Sequence, residues 1–207
     1  MDNTQAFTSI KNHIAFHLNQ IIEETETMRN SLDEKEYCLL CELAHIRDRF
    51  NEIQSSASFF YLKAYIEKFT NEYIELAKAI QHLSERRHGA LIVVERQEPV
   101  DQHIQGGIPL NANISSRLIE SIFYPGNPLH DGAVLVRGDY LISAANVLPL
   151  SKQDFGGEKV GTRHRAGIGL TEVTDALVLI ISEETGKMSF ALEGTLYPII
   201  SPESTLH

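Results

Sequence analysis

The spacing of apolar residues changes after residue 89, and this change constrains the fold of the 207-residue chain. Before it, apolar residues recur at steps of three and four, which is typical of amphipathic helices. After it, residues 90–94 and 176–181 form short continuous apolar runs, which are typical of buried strands. Strands interleaved with helices predict an α/β fold with a mixed β-sheet flanked by helices.

Other short segments fit the same architecture. Residues 133–136 and 140–142 are apolar and are separated by Arg137-Gly138-Asp139, which predicts a β-hairpin. A turn at residues 184–187 leads into a further predicted strand, 188–192. Asn113 is a candidate cap for a helix whose apolar side is Leu118, Ile119 and Ile122.

Residues 1 to about 55 read as an all-α helical hairpin. The apolar stripes of its two helices are Phe7, Ile10, Ile14, Ile21 and Met28, then Leu39, Leu43, Ile46, Phe50 and Ile53. A polar break at residues 30–34 separates them, and Asp33 within it could cap the second helix. Two helices cannot bury both stripes alone, so they must pack on the rest of the chain or on another copy.

A second polar break, at residues 54–58, predicts a domain boundary, with domains over 1–55 and 56–207. A single long helix is expected after it. Its stripe contains Leu62, Ile66, Phe69, Tyr73, Leu76, Ile80 and Leu83. Such a stripe is typical of a helix that covers a core or a partner helix, and the helix is expected to end near His88-Gly89.

Composition excludes several classes of protein. A hydrophobic content of 43% is sufficient for a packed core, so global disorder is excluded. The net charge of −10 argues against a nucleic-acid surface, although a local cationic cluster could still bind a nucleotide. The sequence contains no apolar run long enough to span a bilayer and no signal peptide, so we expect a cytoplasmic protein that does not contact membranes.

Cys38 and Cys41 form a Cys-x-x-Cys motif and are the chain's two cysteines. One interpretation is a redox or zinc site, with His45 one turn further on. The other is a pair of small apolar residues on one face of a helix. We favour the second, because further zinc ligands are not evident.

Two motifs carry the residues needed for chemistry on a phosphate. His130-Asp131-Gly132 precedes a buried strand, and Arg163-His164-Arg165 precedes a helix. Asp131 can accept a proton from an attacking hydroxyl or hold a divalent ion, while arginine binds phosphate as a planar fork. Each motif also has a plain structural interpretation, since Asp-Gly is a common turn and two arginines can form an exposed basic patch.

The backbone around Arg163 and Arg165 decides what the pair can do. In an extended segment the two side chains point to one side. At the start of a helix they diverge, and backbone N–H groups join in binding an anion. Thr162, just before them, offers a hydroxyl for a ribose or phosphate.

Three further positions are candidates with open alternatives. His130 could ligate Mg²⁺ or Mn²⁺, although magnesium prefers oxygen ligands, and a plain buried histidine is the alternative. Ser182 could contact a phosphate and Glu183 the metal region or the base, whereas a solvated acidic turn including Glu184 is the competing interpretation. Neither a P-loop nor a dinucleotide-binding glycine motif is present.

The two motifs resemble the signatures of the diadenylate cyclase (DAC) family, at Asp131-Gly132-Ala133 and Arg163-His164-Arg165. The similarity extends from about Gly89 through Gly186 and the strand that follows. Both tripeptides in order, at this spacing and within matching flanks, make the resemblance specific. One departure is Gly167, where the family pattern has Ala. Glycine there would destabilise the first turn of a helix by about 0.5–1 kcal/mol relative to alanine.

The resemblance implies an enzyme that condenses two ATP into cyclic di-AMP with release of two pyrophosphates, with Mn²⁺ or Mg²⁺ as metal. It implies that Asp131 assists deprotonation, that Arg163 and Arg165 neutralise phosphate charge, and that His164 fixes the segment and could contact the triphosphate. Gly132, Ala133, Leu148, Thr162, Ser182 and Glu183 would then bind the nucleotide, with Leu148 in the adenine pocket. His130 and Asp131 would be the metal ligands.

Two ATP molecules must meet, so the resemblance also implies a homo-oligomer with face-to-face catalytic domains. The helical hairpin resembles that of the sporulation-associated soluble class, whose assemblies are larger than dimers, and a hexamer is expected. The 56–207 domain would be catalytic and the 1–55 hairpin regulatory. The alternative function is an inactive nucleotide-binding domain that regulates a partner.

Overall fold

A computed structural model describes residues 3–32, 38–154 and 160–199. The chain divides into two compact units, one containing residues 1–61 and the other residues 62–199. The described helices are α1 (Asn3–Asn30), α2 (Leu39–Ile66), α3 (Tyr73–Glu85), α4 (Ser116–Ile122) and α5 (Thr162–Thr171). The strands are β1 (Ala90–Val94), β2 (Ile108–Asn113), β3 (Ala133–Arg137), β4 (Tyr140–Asn146), β5 (Leu177–Ile181), β6 (Met188–Leu192) and β7 (Thr195–Ile199).

The N-terminal region is helical, as the apolar spacing predicts. Helix α1 ends at Asn30 and α2 begins at Leu39, so a break lies where the polar residues indicate it. The predicted capping residue Asp33 lies outside the described residues.

The break expected at 54–58 is wrong, because α2 continues through it to Ile66. Serine lowers helix propensity only modestly, so a serine-rich stretch need not end a helix. The division into domains at 55/56 stays a prediction.

The long helix expected over the stripe from Leu62 to Leu83 is two helices. Helix α2 ends at Ile66 and α3 starts at Tyr73. Between them, the carboxylate of Asp139 accepts hydrogen bonds from the Thr70 hydroxyl (3.0 Å) and the Asn71 backbone N–H (2.7 Å). The Asn71 N–H, which a continuous helix would have bonded itself, is satisfied in this way. A further bond from Asn71 Nδ2 to Asp139 Oδ2 (2.9 Å) is the largest cause that lowers the pKa of Asp139.

Cys38 and Cys41 are joined by a disulfide. The favoured interpretation, two separate apolar side chains on one helix face, is therefore wrong. Residues three apart at the start of a helix are neighbours, and the Cα–Cα distance of 5.3 Å lies within the range that a disulfide spans. Both residues are exposed, so the bond does not contribute to a core.

The second unit contains a seven-stranded sheet in the order β2-β4-β3-β1-β5-β6-β7. Strands β1 and β3 are parallel and every other neighbouring pair is antiparallel, so the sheet is mixed, as predicted. The β3–β4 hairpin and strands β1, β5 and β6 lie where the apolar runs indicate. Asn113 ends β2 and does not cap α4; Ser115 is the N-cap, and its hydroxyl accepts from Leu118 N–H.

Helix α5 packs against one face of the sheet. Its Ala166, Ile168 and Leu170 join a buried cluster with residues of β1, β3, β5 and β6, among them Val93 and Ile180. Gly167 permits this close packing, because a Cβ there would lie 2.7 Å from Ile180 Cδ1. Alanine at this position would require the Cδ1 atom of Ile180 to shift. Within the described residues, helices long and apolar enough to cross a bilayer are absent.

Candidate active site

Strand register brings the Asp131-Gly132-Ala133 motif and the β5–β6 turn to one edge of the sheet, and the cavity there is also lined by the start of helix α5. Ala90 pairs with Ile181 in the antiparallel β1–β5 ladder, while Ile92 pairs with Val134 in the parallel β1–β3 ladder. The start of β1, the start of β3 and the end of β5 therefore lie side by side. Residues just outside these ends, including Asp131 and Ser182, meet there because of the register alone.

A cavity of about 1140 Å³ opens at this edge, large enough for a nucleotide. Its polar lining includes Asp131, Thr162, Arg163, His164, Ser182, Glu183, Glu184 and Lys187. Its apolar lining includes Leu91, Leu148, Leu150, Ile181 and Leu196. The cavity thus combines an apolar surface suited to a base with charged groups suited to phosphates and a metal.

The Asp131-Gly132 turn rests directly on the end of β4. Gly132 has a φ of 98°, and a Cβ at this position would lie 2.7 Å from the carbonyl oxygen of Asn146. Asn146 is 2% exposed, and its Nδ2 donates to the Ala133 carbonyl at 2.8 Å. Only glycine therefore fits at 132. The side-chain amide of Asn146 fixes the start of β3, and this places Asp131 at the cavity.

Arg163 and Arg165 diverge, because the segment opens helix α5 at Thr162. This is the second of the two arrangements that the sequence left open. Arg163 lines the cavity, and its Nη1 donates to Glu183 Oε2 at 2.8 Å. Its guanidinium passes over Gly89, where a Cβ would lie 2.7 Å from Arg163 Cζ. The missing side chain at 89 therefore makes the space that Arg163 occupies.

Arg165 has a different environment. Its Nη2 donates to the carbonyl of Ser151 at 2.9 Å, and the Ser151 N–H in turn donates to the Arg165 carbonyl at 2.9 Å. Its Nε is buried, and Arg165 does not line the cavity. The Ser151 hydroxyl donates to Glu172, at the C-terminal end of α5. In this arrangement Arg165 holds the 148–151 segment, which includes the cavity residue Leu148, against helix α5.

His164 lines the cavity as a half-buried imidazole. Burial is the larger cause that lowers its pKa below 6.5, and the neighbouring positive charge of Arg163 lowers it further. The ring is therefore neutral at pH 7. A neutral imidazole can donate or accept a hydrogen bond, but it adds no positive charge against phosphates.

Glu183 and His130 complete the charged surroundings. The hydrogen bond from Arg163 is the main cause of the lowered pKa of Glu183, and the positive charge of Arg163 lowers it further. The Nδ1 of His130 contacts the carbonyl oxygen of Asn127, which can only accept a hydrogen bond, so Nδ1 carries a hydrogen and Nε2 takes no part in this bond. His130 is half-buried and lies beside Asp131 in sequence, but it does not line the cavity itself.

The cavity collects most of the predicted site residues. Asp131, Gly132, Leu148, Thr162, Arg163, His164, Ser182 and Glu183 line it. His130, Ala133 and Arg165 do not; Ala133 is fully buried at the start of β3. Sequence reasoning missed Asn146 and Lys187, because an asparagine within a strand and a lysine after a turn carry no motif. The sequence offered one signal for Lys187, namely that it directly follows the predicted turn that contains Glu183 and Glu184.

Fold and site together define a nucleotide-binding α/β domain equipped for phosphoryl chemistry. Residues 77–196 match the family model described as "DisA bacterial checkpoint controller nucleotide-binding", abbreviated DAC, and residues 1–69 match "Diadenylate cyclase CdaS, N-terminal". The chain belongs to the diadenylate cyclase family. Cyclic di-AMP synthase CdaS of Bacillus subtilis is 57% identical over 196 residues, which covers 95% of this chain and 94% of that protein.

Solved structures resemble the chain in fold as well. One, described as a hypothetical membrane spanning protein from Bacillus cereus, is 46% identical with a TM-score of 0.77, and the match covers 96% of this chain and 98% of that one. Another, a double-cysteine mutant of DacA from Staphylococcus aureus, is 43% identical with a TM-score of 0.59; the match covers 63% of this chain and 87% of that one. The α/β fold with a mixed sheet is therefore confirmed.

Proposed function

We propose that this chain is a diadenylate cyclase that condenses two ATP molecules into cyclic di-AMP and releases two pyrophosphates. The observation that carries the proposal is the meeting of Asp131 and Arg163 in one nucleotide-sized cavity, although 31 positions separate them in the sequence. The first offers a carboxylate to an attacking hydroxyl and the second a guanidinium to a phosphate.

Each ATP would lie with its adenine against the apolar lining near Leu148 and its phosphates toward Arg163 and the first turn of α5. Thr162 and Ser182 offer hydroxyls to the ribose or phosphates. The 3′-hydroxyl of one ATP then attacks the α-phosphorus of the other, and the bond to pyrophosphate breaks. The hydroxyl proton passes to Asp131, directly or through water, and Arg163 stabilises the charge on the phosphate oxygens. A second, reciprocal attack closes the ring.

Members of this family use a divalent metal ion, and the residues at the cavity fit one that is held largely by substrate. Among the described residues, clusters of three or more His, Cys, Asp or Glu side chains suited to a metal are absent. Magnesium-type ions are commonly bound by one or two carboxylates and completed by phosphates. Asp131 would supply a carboxylate, and His130 could add Nε2. The ion, when bound, would neutralise phosphate charge and ease deprotonation of the hydroxyl.

Two cavities must face each other for the two attacks, so the active form is proposed to be a homo-oligomer, with a hexamer as the expected assembly. In the helical N-terminal unit, several large apolar side chains are exposed. They are Phe16, Leu18, Ile22, Leu32, Leu39, Leu40, Leu43, Phe50 and Tyr61. Exposed apolar surface of this extent is typical of an interaction site, and a second copy of the hairpin is the proposed occupant.

Incubation with ATP and either Mn²⁺ or Mg²⁺, followed by chromatography of the products, tests the proposal. Cyclic di-AMP and pyrophosphate in a 1:2 ratio are expected. ATP binding without either product would instead support the alternative, an inactive nucleotide-binding domain with a regulatory role. Using both metals in parallel also determines which ion the site prefers.

A further inference from the structure

The cation content of the cavity is low for a site that binds a triphosphate. ATP carries about four negative charges when it is free of metal, and phosphate sites are typically built from several cations and backbone N–H groups. Arg165 is bonded to the Ser151 carbonyl and does not line the cavity, and the His164 ring is neutral at pH 7. Two permanent cations remain in the lining, Arg163 and Lys187.

One of these two cations is already paired. Arg163 forms an ion pair with Glu183, and the lining also includes the carboxylates of Asp131 and Glu184. By contrast, ion pairs of Lys187 are absent within the part of the chain that the structure describes, and its side chain is exposed. Its ammonium group is thus available to an anion in the cavity.

The backbone that carries Lys187 is held on several sides. Ser182 N–H donates to the Lys187 carbonyl at 3.0 Å, and Lys187 N–H donates to the Thr185 hydroxyl at 3.2 Å. Gly186 N–H donates to the Ser182 carbonyl at 2.8 Å, and the Ser84 hydroxyl of α3 donates to the Gly186 carbonyl at 2.6 Å. Gly186 has a φ of 72°, and a Cβ there would lie 2.7 Å from the Ser84 carbonyl oxygen.

These backbone contacts determine the side of the sheet to which the Lys187 side chain points. In the β5–β6 ladder Ile181 pairs with Met188, so the next pair outward is Ser182 with Lys187. Paired residues of antiparallel strands point to the same side of the sheet, and both of these line the cavity. A lysine on a clamped turn needs to order only its own side chain to reach an anion, which reduces the entropic cost of binding.

We propose that Lys187 is a phosphate-binding residue of the substrate site and provides, beside Arg163, a second cation that His164 and Arg165 do not supply. The inference rests on the proposed function, since it takes the triphosphate of ATP as the ligand. Because Coulomb attraction grows with the charge of the ligand, Lys187 contributes more to binding ATP than to binding AMP.

The test is calorimetric titration of the full-length chain with ATP and with AMP, in metal-free buffer so that turnover does not interfere. Lys187→Gln should raise the Kd for ATP by about three- to tenfold and the Kd for AMP by clearly less. Lys187→Arg keeps the charge and should stay within about twofold of the parent. Lys68→Gln, which removes one exposed lysine outside the cavity lining, controls for the change in net charge.

The outcomes separate this inference from the function on which it rests. An ATP affinity that is equal in the Lys187→Gln and Lys68→Gln variants overturns the role of Lys187 and leaves the cyclase assignment intact. Equal losses for ATP and AMP also overturn it, because they indicate a disturbed cavity. Failure of the parent chain to bind ATP, even with Mn²⁺ added, overturns the proposed function together with the inference.

Discussion

Arg163 Nη1 lies 2.8 Å from Glu183 Oε2, so the cation best placed for phosphate already has an anionic partner at the mouth of the cavity. The arginine side chain is 26% exposed and that of the glutamate 65%. The ion pair lowers the pKa of Glu183 below its ordinary value of 4.5, so the carboxylate is ionised at neutral pH. The pair is lost only as the pH falls through this lower pKa of the folded state. At neutral pH an incoming phosphate therefore competes with Glu183 for Arg163.

Removing this competition should tighten nucleotide binding. In Glu183→Gln, the affinity for metal-free ATP should increase by up to about fivefold, because exposed ion pairs contribute up to about 1 kcal/mol. Calorimetric titration of the variant measures the change. Glu184→Gln removes the same charge from the same turn without breaking the Arg163 ion pair, and it should give a smaller change. A weaker ATP affinity in Glu183→Gln alone would show that Glu183 itself contacts the nucleotide.

Asp131→Asn should abolish cyclic di-AMP synthesis while ATP still binds. The substitution removes the proton acceptor and metal ligand but keeps the size of the side chain, and the Gly132–Asn146 contact that places it is unchanged. General base catalysis typically contributes about 10²–10⁴-fold. Product chromatography and ATP calorimetry on the same preparation check both parts. Synthesis near the parent rate would refute the role of Asp131.

The two arginines of the motif should behave differently. Arg163→Ala should weaken ATP binding by about 1.5–3 kcal/mol, the range for a charge-assisted hydrogen bond, and leave the unfolding temperature nearly unchanged. Arg165→Ala removes the bond to the Ser151 carbonyl, so its main effect should be a loss of about 1–3 kcal/mol in the free energy of unfolding.

Denaturant unfolding and ATP titration on both arginine variants separate these effects. The reverse pattern, in which Arg165→Ala loses ATP affinity at full stability, would place Arg165 at the phosphates. A parent-like result for both variants in both measurements would mean that the motif has neither role.

The contrast between the two arginines shows where sequence reasoning reached its limit. The motifs and the apolar runs at 90–94 and 176–181 follow from local patterns, so the fold class and the residues Asp131 and Arg163 could be predicted. The break between α2 and α3 depends on Asp139, which is distant in sequence from Thr70. Bonds of this kind, like that of Arg165 to Ser151, arise only from tertiary structure.

The close packing of α5 also could not be read from the sequence. A Cβ at Gly169 would collide with backbone atoms of the 149–151 segment, including the Leu150 carbonyl carbon at 2.7 Å. Backbone atoms cannot move aside as a side chain can, so Gly169→Ala should destabilise the fold by about 1–3 kcal/mol despite the better helix propensity of alanine. Gly161→Ala, where a Cβ would meet only His164 Nδ1 at 3.5 Å, is the matched control and should leave stability nearly unchanged. Denaturant midpoints of the two variants test this, and equal midpoints would contradict it.

The N-terminal helices are expected to restrain catalysis by holding catalytic domains apart. Phe16, Leu40 and Phe50 are 58%, 79% and 55% exposed, which leaves apolar surface for another copy to cover. An assembly built through these helices need not bring two cavities face to face. Releasing the second unit from it would then raise the population of productive pairs, and about 1.4 kcal/mol is enough for a tenfold change.

The cut should follow Tyr61, where the two compact units divide, so that the buried Leu62 and Ile66 are retained. The chain from residue 62 onward keeps all seven strands and the described core of the second unit. Its activity per site should exceed that of the full-length chain by on the order of tenfold, and its mass by light scattering should fall. Substituting Phe16→Ser and Phe50→Ser in the full-length chain should act in the same direction without removing any residues. Equal or lower activity in a folded truncation, with the double variant unchanged in mass, would show that the helices stabilise the enzyme and do not inhibit it.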